Sequence, residues 1–453
     1  MASTFLTRTV SGSDSTYTYK RNTVSVWLKR SGLGDACFFE GWYSNAFATQ
    51  VYFDSNTNLT INAASSTAGS AFQIVTNRKF RDINSWYHIV ISIDTTDATS
   101  TDRCKIYVNG VRETSFASAS YPNQNASVQW SGTGNTQFVG RRESGGAGLY
   151  YNGAMSYLAY IDGTAELPTI FGETDTTTGQ WKIKTSITPS VAWGNFGFLI
   201  LKDGNSLTDA SPNSNNFTVG AGTLTDYKDC PSNVFSTMNS LANFETQWAL
   251  FENNNTYVRS AGTGEAFIAS TLGIPPTSGK FYTEVKYTQG GSASNIGISG
   301  RMNPTAAGDY VGNKADSYVY RQNGEKKSDD VSSSYGDSYA PGDIIGIAVD
   351  ATNSKIYFSK NGVWQNSGNP ESGATGTGAA FTISTTPTDG FYFMACAKES
   401  GSDKNYYAWN FGNGFFQTSA VADNSTATAS TPGVFNYAVP TGYQPLSTKG
   451  LNA

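Results

Sequence analysis

The sequence shows no arrangement of residues that is typical of covalent or acid–base catalysis. Its single histidine, His88, lies in an apolar stretch between Tyr87 and Ile89. It could serve as a general base, but spacing identifies no Ser and Asp partners for it, and a hydrogen-bonded histidine in a half-buried strand is the favoured interpretation. Hydrolysis of a glycosidic bond needs two carboxylates in one groove, and alternate positions of one strand would point both into it. No E-x-D-x-E run of this kind occurs. The nearest acidic cluster, Glu173-Thr174-Asp175, is typical of a solvated or turn-capping pair, so we expect no enzyme.

Metal-binding patterns are sparse as well. The four cysteines form no CxxC pair, and with one histidine a transition-metal site is not expected. Asp94, Asp97 and Asp102 crowd one loop before a hairpin and could form an oxygen cage for calcium. The alternative, which we favour, is an ordinary polar loop. No other cofactor is indicated.

Aromatic residues near polar, Gly-rich segments are candidates for sugar binding. Pyranose CH groups stack on aromatic rings while the hydroxyls need amide and carboxylate partners. Each ring taken alone is more often a packing residue, but together they make glycan recognition a hypothesis to test. The candidates are Trp42, Tyr43, Tyr150 and Tyr151 in the first half of the chain, and Tyr318, Tyr320 and Tyr335, which we place in loops of the second half.

Composition excludes several classes of partner. Charged residues are 14% of the 453 residues and the net charge is -5, whereas nucleic-acid binding needs clustered Lys and Arg. No apolar run reaches the roughly 18 residues of a membrane span. The start of the chain lacks the basic and apolar regions of a secretory signal. The cysteines are expected to be reduced and mostly buried, as in a protein assembled in a cytoplasm.

Strand signals recur along the chain, whereas helical periodicity is nearly absent. Val24–Leu28, Gln50–Phe53, Tyr87–Ile93 and Cys104–Val108 alternate or are β-rich, between Gly, Asn, Asp or Ser clusters. Two segments share the pattern KIY…NGV, with Asn-Gly turns at Asn109-Gly110 and Asn361-Gly362. The sequence therefore predicts an all-β protein of two jelly-roll-like antiparallel sandwiches with very little helix.

Changes in composition suggest four regions. A first sandwich is predicted over residues 1–163, and a second over 239–412. Residues 164–238, with Pro, Asp and Asn but also Trp181 and Trp193, are interpreted as an ordered bridge with short strands. Residues 413–453 form a tail expected to pack on the second sandwich or on a partner subunit.

Residues 85–94, 105–110, 138–141 and 151–162 together resemble the laminin-G-like, concanavalin-type sandwiches: a W-Y-H-I-V strand, an Asn-Gly hairpin and a closing strand that ends in Ile161-Asp162. The second half resembles a SPRY domain in four ordered motifs: residues 279–285, 341–350 (PGDIIGIAVD), 354–364 and Trp409-Asn410-Phe411-Gly412. These resemblances imply two different β-sandwiches rather than a duplication.

The bridge adds a third resemblance. Residues 170–182, 209–219, 229–235 and 443–446 are similar to segments of virion proteins of tailed bacteriophages, in which a laminin-G-like sandwich precedes a SPRY-like one. This implies a virion fibre or appendage protein, assembled in the host cytoplasm and displayed outside, with other virion proteins as partners. A homotrimer is expected by analogy with phage fibres alone.

Two functions follow from these observations. The first is an adhesin that binds a host-surface glycan or protein through its loops. The second is a purely structural component of a capsid or tail whose bridge and tail are assembly surfaces. A glycan depolymerase is the remaining alternative, against which the missing carboxylate pair argues.

Overall fold

The chain divides into two compact units. The structure is a computed structural model that describes residues 4–452 apart from 13–18, 66–70, 84, 129, 147, 177, 203–205, 243–247, 254–255, 261–264, 292, 304–307, 402 and 424–432. The N-terminal unit is Met1–Tyr227 and the C-terminal unit is Lys228–Ala453. Every helix described in these residues is a 3₁₀ turn of three residues. These turns are Ser100–Asp102, Ser144–Gly146, Pro168–Ile170, Ser240–Ala242, Gln365–Ser367, Gly373–Thr375 and Gly450–Asn452. The all-β prediction is confirmed.

The N-terminal unit is built from antiparallel strands in two main sheets. The eight-stranded sheet has the order β10-β6-β5-β4-β3-β11-β1-β16, the six-stranded sheet has the order β15-β12-β2-β7-β8-β9, and β13 and β14 form a separate pair. Their bounds are β1 Phe5–Thr9, β2 Arg21–Arg30, β3 Ala36–Ser44, β4 Phe47–Phe53, β5 Asn58–Ser65, β6 Phe72–Lys79, β7 Tyr87–Asp94, β8 Cys104–Val108, β9 Val111–Arg112, β10 Phe116–Ser120, β11 Thr136–Val139, β12 Gly153–Asp162, β13 Gly172–Thr174, β14 Trp181–Ile183, β15 Phe198–Ile200 and β16 Thr218–Ala221.

The core of this unit lies between the two main sheets. In the eight-stranded sheet, paired residues form one continuous apolar row across six strands: Ile74, Ile61, Val51, Phe39, Val139 and Leu6. Val24, Val26 and Ile89 of the six-stranded sheet belong to the same buried cluster. Because side chains alternate along a strand, the neighbours of the apolar row must point to the opposite face.

The predicted Asn-Gly hairpin of this unit is confirmed. Asn109 and Gly110 join β8 to β9 with φ of 49° and 80°, the left-handed values that a tight hairpin requires.

Residues 164–227 lie within the N-terminal unit rather than in a separate bridge. Strand β15 pairs with β12, and β16 pairs with β1, so this segment supplies one edge strand to each main sheet. Phe198 and Phe217 are buried in the main core. From the sequence we predict a boundary at residue 163, because the Pro, Asp and Asn content increases there. In the structure, two short strands from beyond that residue complete the sheets.

The β13–β14 hairpin is held against the six-stranded sheet by Trp181. Its Nε1–H donates to His88 Nδ1 at 2.9 Å, and His88 stacks between Trp181 and Trp27, with ring centroids 5.9 and 4.7 Å away. Gly110 and Gly172 both lie under the indole, where a Cβ would come within 2.5 and 2.6 Å of it. The hairpin therefore shields the face of the six-stranded sheet that points away from the core.

The C-terminal unit also contains two main sheets. The larger runs β17-β18-β30-β20-β25-β26-β27, with β28 on β26 and β33 on β20; the other runs β19-β29-β21-β22-β23-β24, and β31 pairs with β32. The bounds are β17 Trp248–Glu252, β18 Tyr257–Ser260, β19 Ala266–Ile274, β20 Lys280–Gln289, β21 Ser294–Ser299, β22 Ser317–Arg321, β23 Glu325–Ser328, β24 Val331–Ser334, β25 Ile344–Asp350, β26 Lys355–Lys360, β27 Val363–Trp364, β28 Phe381–Thr382, β29 Tyr392–Lys398, β30 Tyr406–Asn410, β31 Phe415–Phe416, β32 Ser419–Ala420 and β33 Gln444–Pro445.

Residues from both ends of the C-terminal unit pack against its sheets. Residues 228–238, assigned to the bridge by sequence, belong here, and Phe235 and Met238 are in the core. In the tail, Phe435 and Tyr443 pack on the face of Tyr282 and Tyr357 that points away from that core. Part of the predicted tail, residues 424–432, lies outside the described residues.

One buried carboxylate anchors this covering segment. Glu284 accepts the backbone N–H groups of Asn436 and Tyr437, both at 2.8 Å, together with Asn410 Nδ2 and the Tyr282 hydroxyl. Burial raises the pKa of Glu284 to about 7, although these donors oppose the shift.

Acid is expected to destabilise the N-terminal unit through His88. Burial lowers the pKa of His88 from 6.5 to about 3, so the folded ring stays neutral while the unfolded chain takes up a proton. The contribution of His88 to stability is therefore complete above pH 6.5 and falls by about 1.4 kcal/mol per pH unit below it, towards pH 3. Urea unfolding between pH 5 and 7 should show this slope, and His88→Gln should flatten it.

His88 is the only histidine, so its NMR ring signals need no further assignment. An imidazole that titrates near pH 6.5 in the folded protein would contradict the expected burial.

Candidate functional site

The face of the eight-stranded sheet that points away from the core carries a row of mostly polar side chains. The register that builds the apolar row places the following residues opposite one another on the outer face: Gln73, Asn62, Gln50, Glu40, Phe138 and Thr7. Trp42 follows Glu40 by two residues and Tyr52 follows Gln50 by two, so both rings stand on this face. We call this surface the outer face.

The segment 140–150, of which residue 147 lies outside the described residues, covers one half of the outer face and is fixed there by Glu40. This fully buried carboxylate accepts the N–H groups of Glu143 at 2.5 Å and Ser144 at 3.2 Å. Asn45 Oδ1 accepts the N–H of Gly145 at 3.2 Å. Burial raises the pKa of Glu40, and the donated hydrogen bonds and the charge of Arg142 counteract that shift. The segment is therefore held by backbone contacts, which leaves its side chains to define a surface.

Under this segment lies an aromatic and guanidinium cluster. Arg141 is paired with Glu143 and lies 4.7 Å from the ring centroid of Phe5 and 5.5 Å from that of Phe138. Tyr150 packs on Phe5 at 6.3 Å, and Trp42 meets Phe138 edge-on at 6.5 Å. Trp42 and Tyr150 remain half-buried. The structure thus brings these two predicted residues to the same face.

The other half of the outer face is open. Gln73 is exposed and Asn62 half-buried, so both can present amides to a ligand. Tyr52 is half-buried beside them, and the guanidinium of Arg142 lies 6.0 Å from its ring centroid. Half-exposed rings next to amide groups form the combination that recognises sugar rings and their hydroxyls.

The other two candidates of this unit are placed differently. Tyr43 is 56% exposed at the end of β3, beside Phe47 and Gly134, at the margin of the outer face. Tyr151 points into the unit, where its hydroxyl donates to Lys29 O and burial raises its pKa. Its ring is therefore partly buried against the core rather than presented on the outer face.

The three tyrosines of the C-terminal unit are core residues rather than exposed binding residues, and only Tyr335 lies in a loop, as expected for all three. Tyr318 and Tyr320 belong to β22, and with Tyr335 they are only 6, 0 and 7% exposed. The Tyr318 and Tyr335 hydroxyls accept the N–H groups of Ser384 and Phe358, and the Tyr320 hydroxyl donates to Asp337 O. Alternation along a strand, rather than a loop, accounts for the Tyr318/Tyr320 spacing.

The predicted calcium ligands are engaged by neighbouring groups. Asp94 accepts from Arg21 and Thr96, Asp97 caps the N–H of Thr99, and Asp102 pairs with Arg112 at 2.6 Å. In the part of the chain that the structure describes, no group of three or more His, Cys, Asp or Glu could hold a metal ion. These residues therefore do not fit a calcium cage, and the loop is tied by ion pairs and turns.

His88 is not arranged as a general base. Trp181 Nε1 can only donate, so His88 Nδ1 must accept and the ring proton lies on Nε2. That nitrogen, 2.9 Å from Ser25 Oγ, then donates to the serine and cannot take its proton. Both groups are buried.

Comparison with known families agrees with the two units. Residues 7–182 match the concanavalin A-like lectin/glucanases superfamily, and residues 280–403 match the SPRY domain. The chain carries a concanavalin A-like domain followed by a SPRY domain. Both resemblances expected from the sequence are confirmed, and the outer face lies in the concanavalin A-like domain.

Individual solved structures are more distant. The SPRY domain of human HERC1 is 17% identical over 36% of this chain and 94% of its own, with a TM-score of 0.28. A heptameric SAP-like pentraxin from Limulus polyphemus is 18% identical over 36% of this chain and 77% of its own, with a TM-score of 0.24. At these values neither likeness bears on function. No curated protein matches the chain's sequence.

Sequence reasoning missed the polar half of this site in the concanavalin A-like domain. Gln50, Asn62, Gln73 and Arg142 stand on four different segments, with no local motif among them. The available signal was the polar alternation within strands: Asn62 between Ile61 and Ala63, and Gln73 between Phe72 and Ile74. Reading those strands in register would have aligned the amides.

Removing the Glu40 carboxylate is expected to release segment 140–150. Glu40→Ala leaves the Glu143 and Ser144 N–H groups without an acceptor, which should lower the free energy of unfolding by about 2–3 kcal/mol. Amide hydrogen exchange at these two residues should accelerate. Glu173→Ala, at an exposed carboxylate of the same unit, is the matched control. Unchanged protection of both amides would show that the carboxylate does not fix the segment.

Proposed function

We propose that the chain is a non-enzymatic adhesin that binds a glycan on the outer face of its concanavalin A-like domain. The observation that supports this most is that Trp42, Tyr52 and Tyr150 share a face with the accessible amides of Asn62 and Gln73. The two domain families support a binding role in general. The glycan, rather than a protein, is favoured because a row of amides needs many hydrogen-bonding partners.

We further propose that the adhesin belongs to a tailed-bacteriophage virion. The support is the resemblance of residues 170–182, 209–219, 229–235 and 443–446 to virion proteins that combine these two domains. The proposal includes assembly in the host cytoplasm, display on the particle, other virion proteins as partners and a homo-oligomer, with a trimer as the working assumption. Many copies on one particle would convert weak single-site binding into firm attachment.

The alternative of a purely structural component receives less support. It uses the aromatic C-terminal tail as an assembly surface, but Phe435, Val439 and Tyr443 are buried on their own unit. A depolymerase is also disfavoured, since the sequence has no E-x-D-x-E run that would place two carboxylates on one face of a strand.

Glycan binding should depend on the outer face. On a glycan array, Trp42→Ala and Asn62→Ala should each weaken binding of the best ligands about tenfold, because each removes one stacking or hydrogen-bonding contact. Phe391→Ala, at a 48% exposed ring of the C-terminal unit, is the control and should bind normally. Circular dichroism should show that all three variants are folded. A folded wild-type protein that binds no glycan would contradict the adhesin proposal.

The virion assignment has its own test. Antibodies raised against the chain should decorate a tail or surface appendage of the particle in electron micrographs. Failure to find the chain in purified particles would overturn the assignment without affecting glycan binding.

A further inference from the structure

Arg142 is placed on the outer face, and its guanidinium donates no hydrogen bond to any of the described residues. Its backbone is fixed, because its N–H donates to Leu149 O at 3.2 Å and the next two N–H groups bind Glu40. Among the described residues, the guanidinium has no hydrogen-bond acceptor and no carboxylate within ion-pair distance, and its Nε is shielded from solvent. Its one aromatic contact is the distant ring of Tyr52.

Neighbouring groups do not satisfy this charge. Glu40 is near enough for its carboxylate to be stabilised by the charge of Arg142, but among the described residues no hydrogen bond or ion pair joins the two side chains, and the Glu40 oxygens accept the N–H groups of Glu143 and Ser144. Arg141, one residue earlier, shows the contrasting case, since it is paired with Glu143 and covers two phenylalanine rings. The acidic residues that act on the Tyr52 hydroxyl, Asp35 and Asp54, form no ion pair with Arg142 among the described residues.

The chemistry of this arrangement favours one class of ligand. A guanidinium presents a planar fork of donors that matches a carboxylate in a bidentate manner. Asn62 and Gln73 stand on the same face for ring hydroxyls, and Tyr52 provides an aromatic surface. A saccharide that carries a carboxylate, such as a uronic or nonulosonic acid, would use all of these groups. A neutral saccharide would leave the guanidinium without a partner.

We propose that the outer face selects carboxylated saccharides, with Arg142 as the specificity-determining residue. This inference rests on the proposed glycan-binding function and names its ligand class.

The test compares matched neutral and acidic glycans. Full-length protein is applied to an array that holds uronate and sialylated glycans beside their methyl esters and their neutral parent glycans. Carboxylated members should bind at least tenfold more strongly than their esters. Arg142→Gln should reduce that binding about tenfold to a hundredfold and abolish the preference, while Arg142→Lys should keep part of it. Trp42→Ala should weaken acidic and neutral glycans alike.

Arg112→Gln is the matched control, because it removes a guanidinium that is paired with Asp102 in the same unit. It should leave the preference intact. Dextran sulfate serves as a general polyanion: equal binding of dextran sulfate and uronates would overturn the carboxylate assignment.

The outcomes separate the two proposals. Strong binding of neutral glycans or methyl esters, or an unchanged preference in a folded Arg142→Gln variant, refutes the role of Arg142 but leaves the adhesin. Absence of all glycan binding refutes the adhesin itself.

Discussion

In the eight-stranded sheet, the register of the strands decides both what is buried and what is presented. Ile61, Val51 and Phe39 are paired across neighbouring strands, and their chain neighbours Asn62, Gln50 and Glu40 are therefore paired on the other side. A slip of one residue in β3, β4 or β5 would move that strand's carboxylate or amide into the core. The burial of the apolar row thus stabilises the only register in which the polar row is continuous.

The same arrangement fixes a covering segment in each of the two units. In each, a fully buried glutamate on the outer side of a sheet accepts two successive backbone N–H groups from a covering segment. Glu40 holds Glu143 and Ser144, and Glu284 holds Asn436 and Tyr437. Burying a carboxylate is unfavourable unless it is well hydrogen-bonded, and raised pKa values at both sites reflect that cost. Segments without regular secondary structure thereby gain fixed positions.

Much of this architecture could be predicted from sequence, because its signals are local. Strands β2, β4, β7 and β8 and the Asn109-Gly110 and Asn361-Gly362 turns follow from alternation and turn chemistry, and the two domain types follow from ordered motifs. The limits of the first unit could not be predicted in this way. Strands β15 and β16 are short, and their partners lie far away in the sequence.

In the candidate site, too, some residues could be predicted from the sequence and others could not. Trp42 and Tyr150 were identified by residue type, but so were Tyr151, Tyr318 and Tyr320, whose rings the structure buries. Residue type cannot distinguish a ring on the outer face from one in the core, because both occur in β-rich segments. The distinction depends on register across strands, which is a tertiary property.

The polar row also bears on what kind of partner the outer face can accept. A flat apolar protein surface laid on Gln73 and Asn62 would remove their amides from water without replacing the lost hydrogen bonds, which is unfavourable. A saccharide has a hydroxyl on most ring carbons and an apolar CH face, so it can satisfy the amides and also contact Tyr52 or Trp42. Because many of these hydrogen bonds replace bonds to water, each contributes modestly, and single-site affinity should be weak. That is the regime in which repeated display of one site on a multimeric particle has its largest effect on attachment.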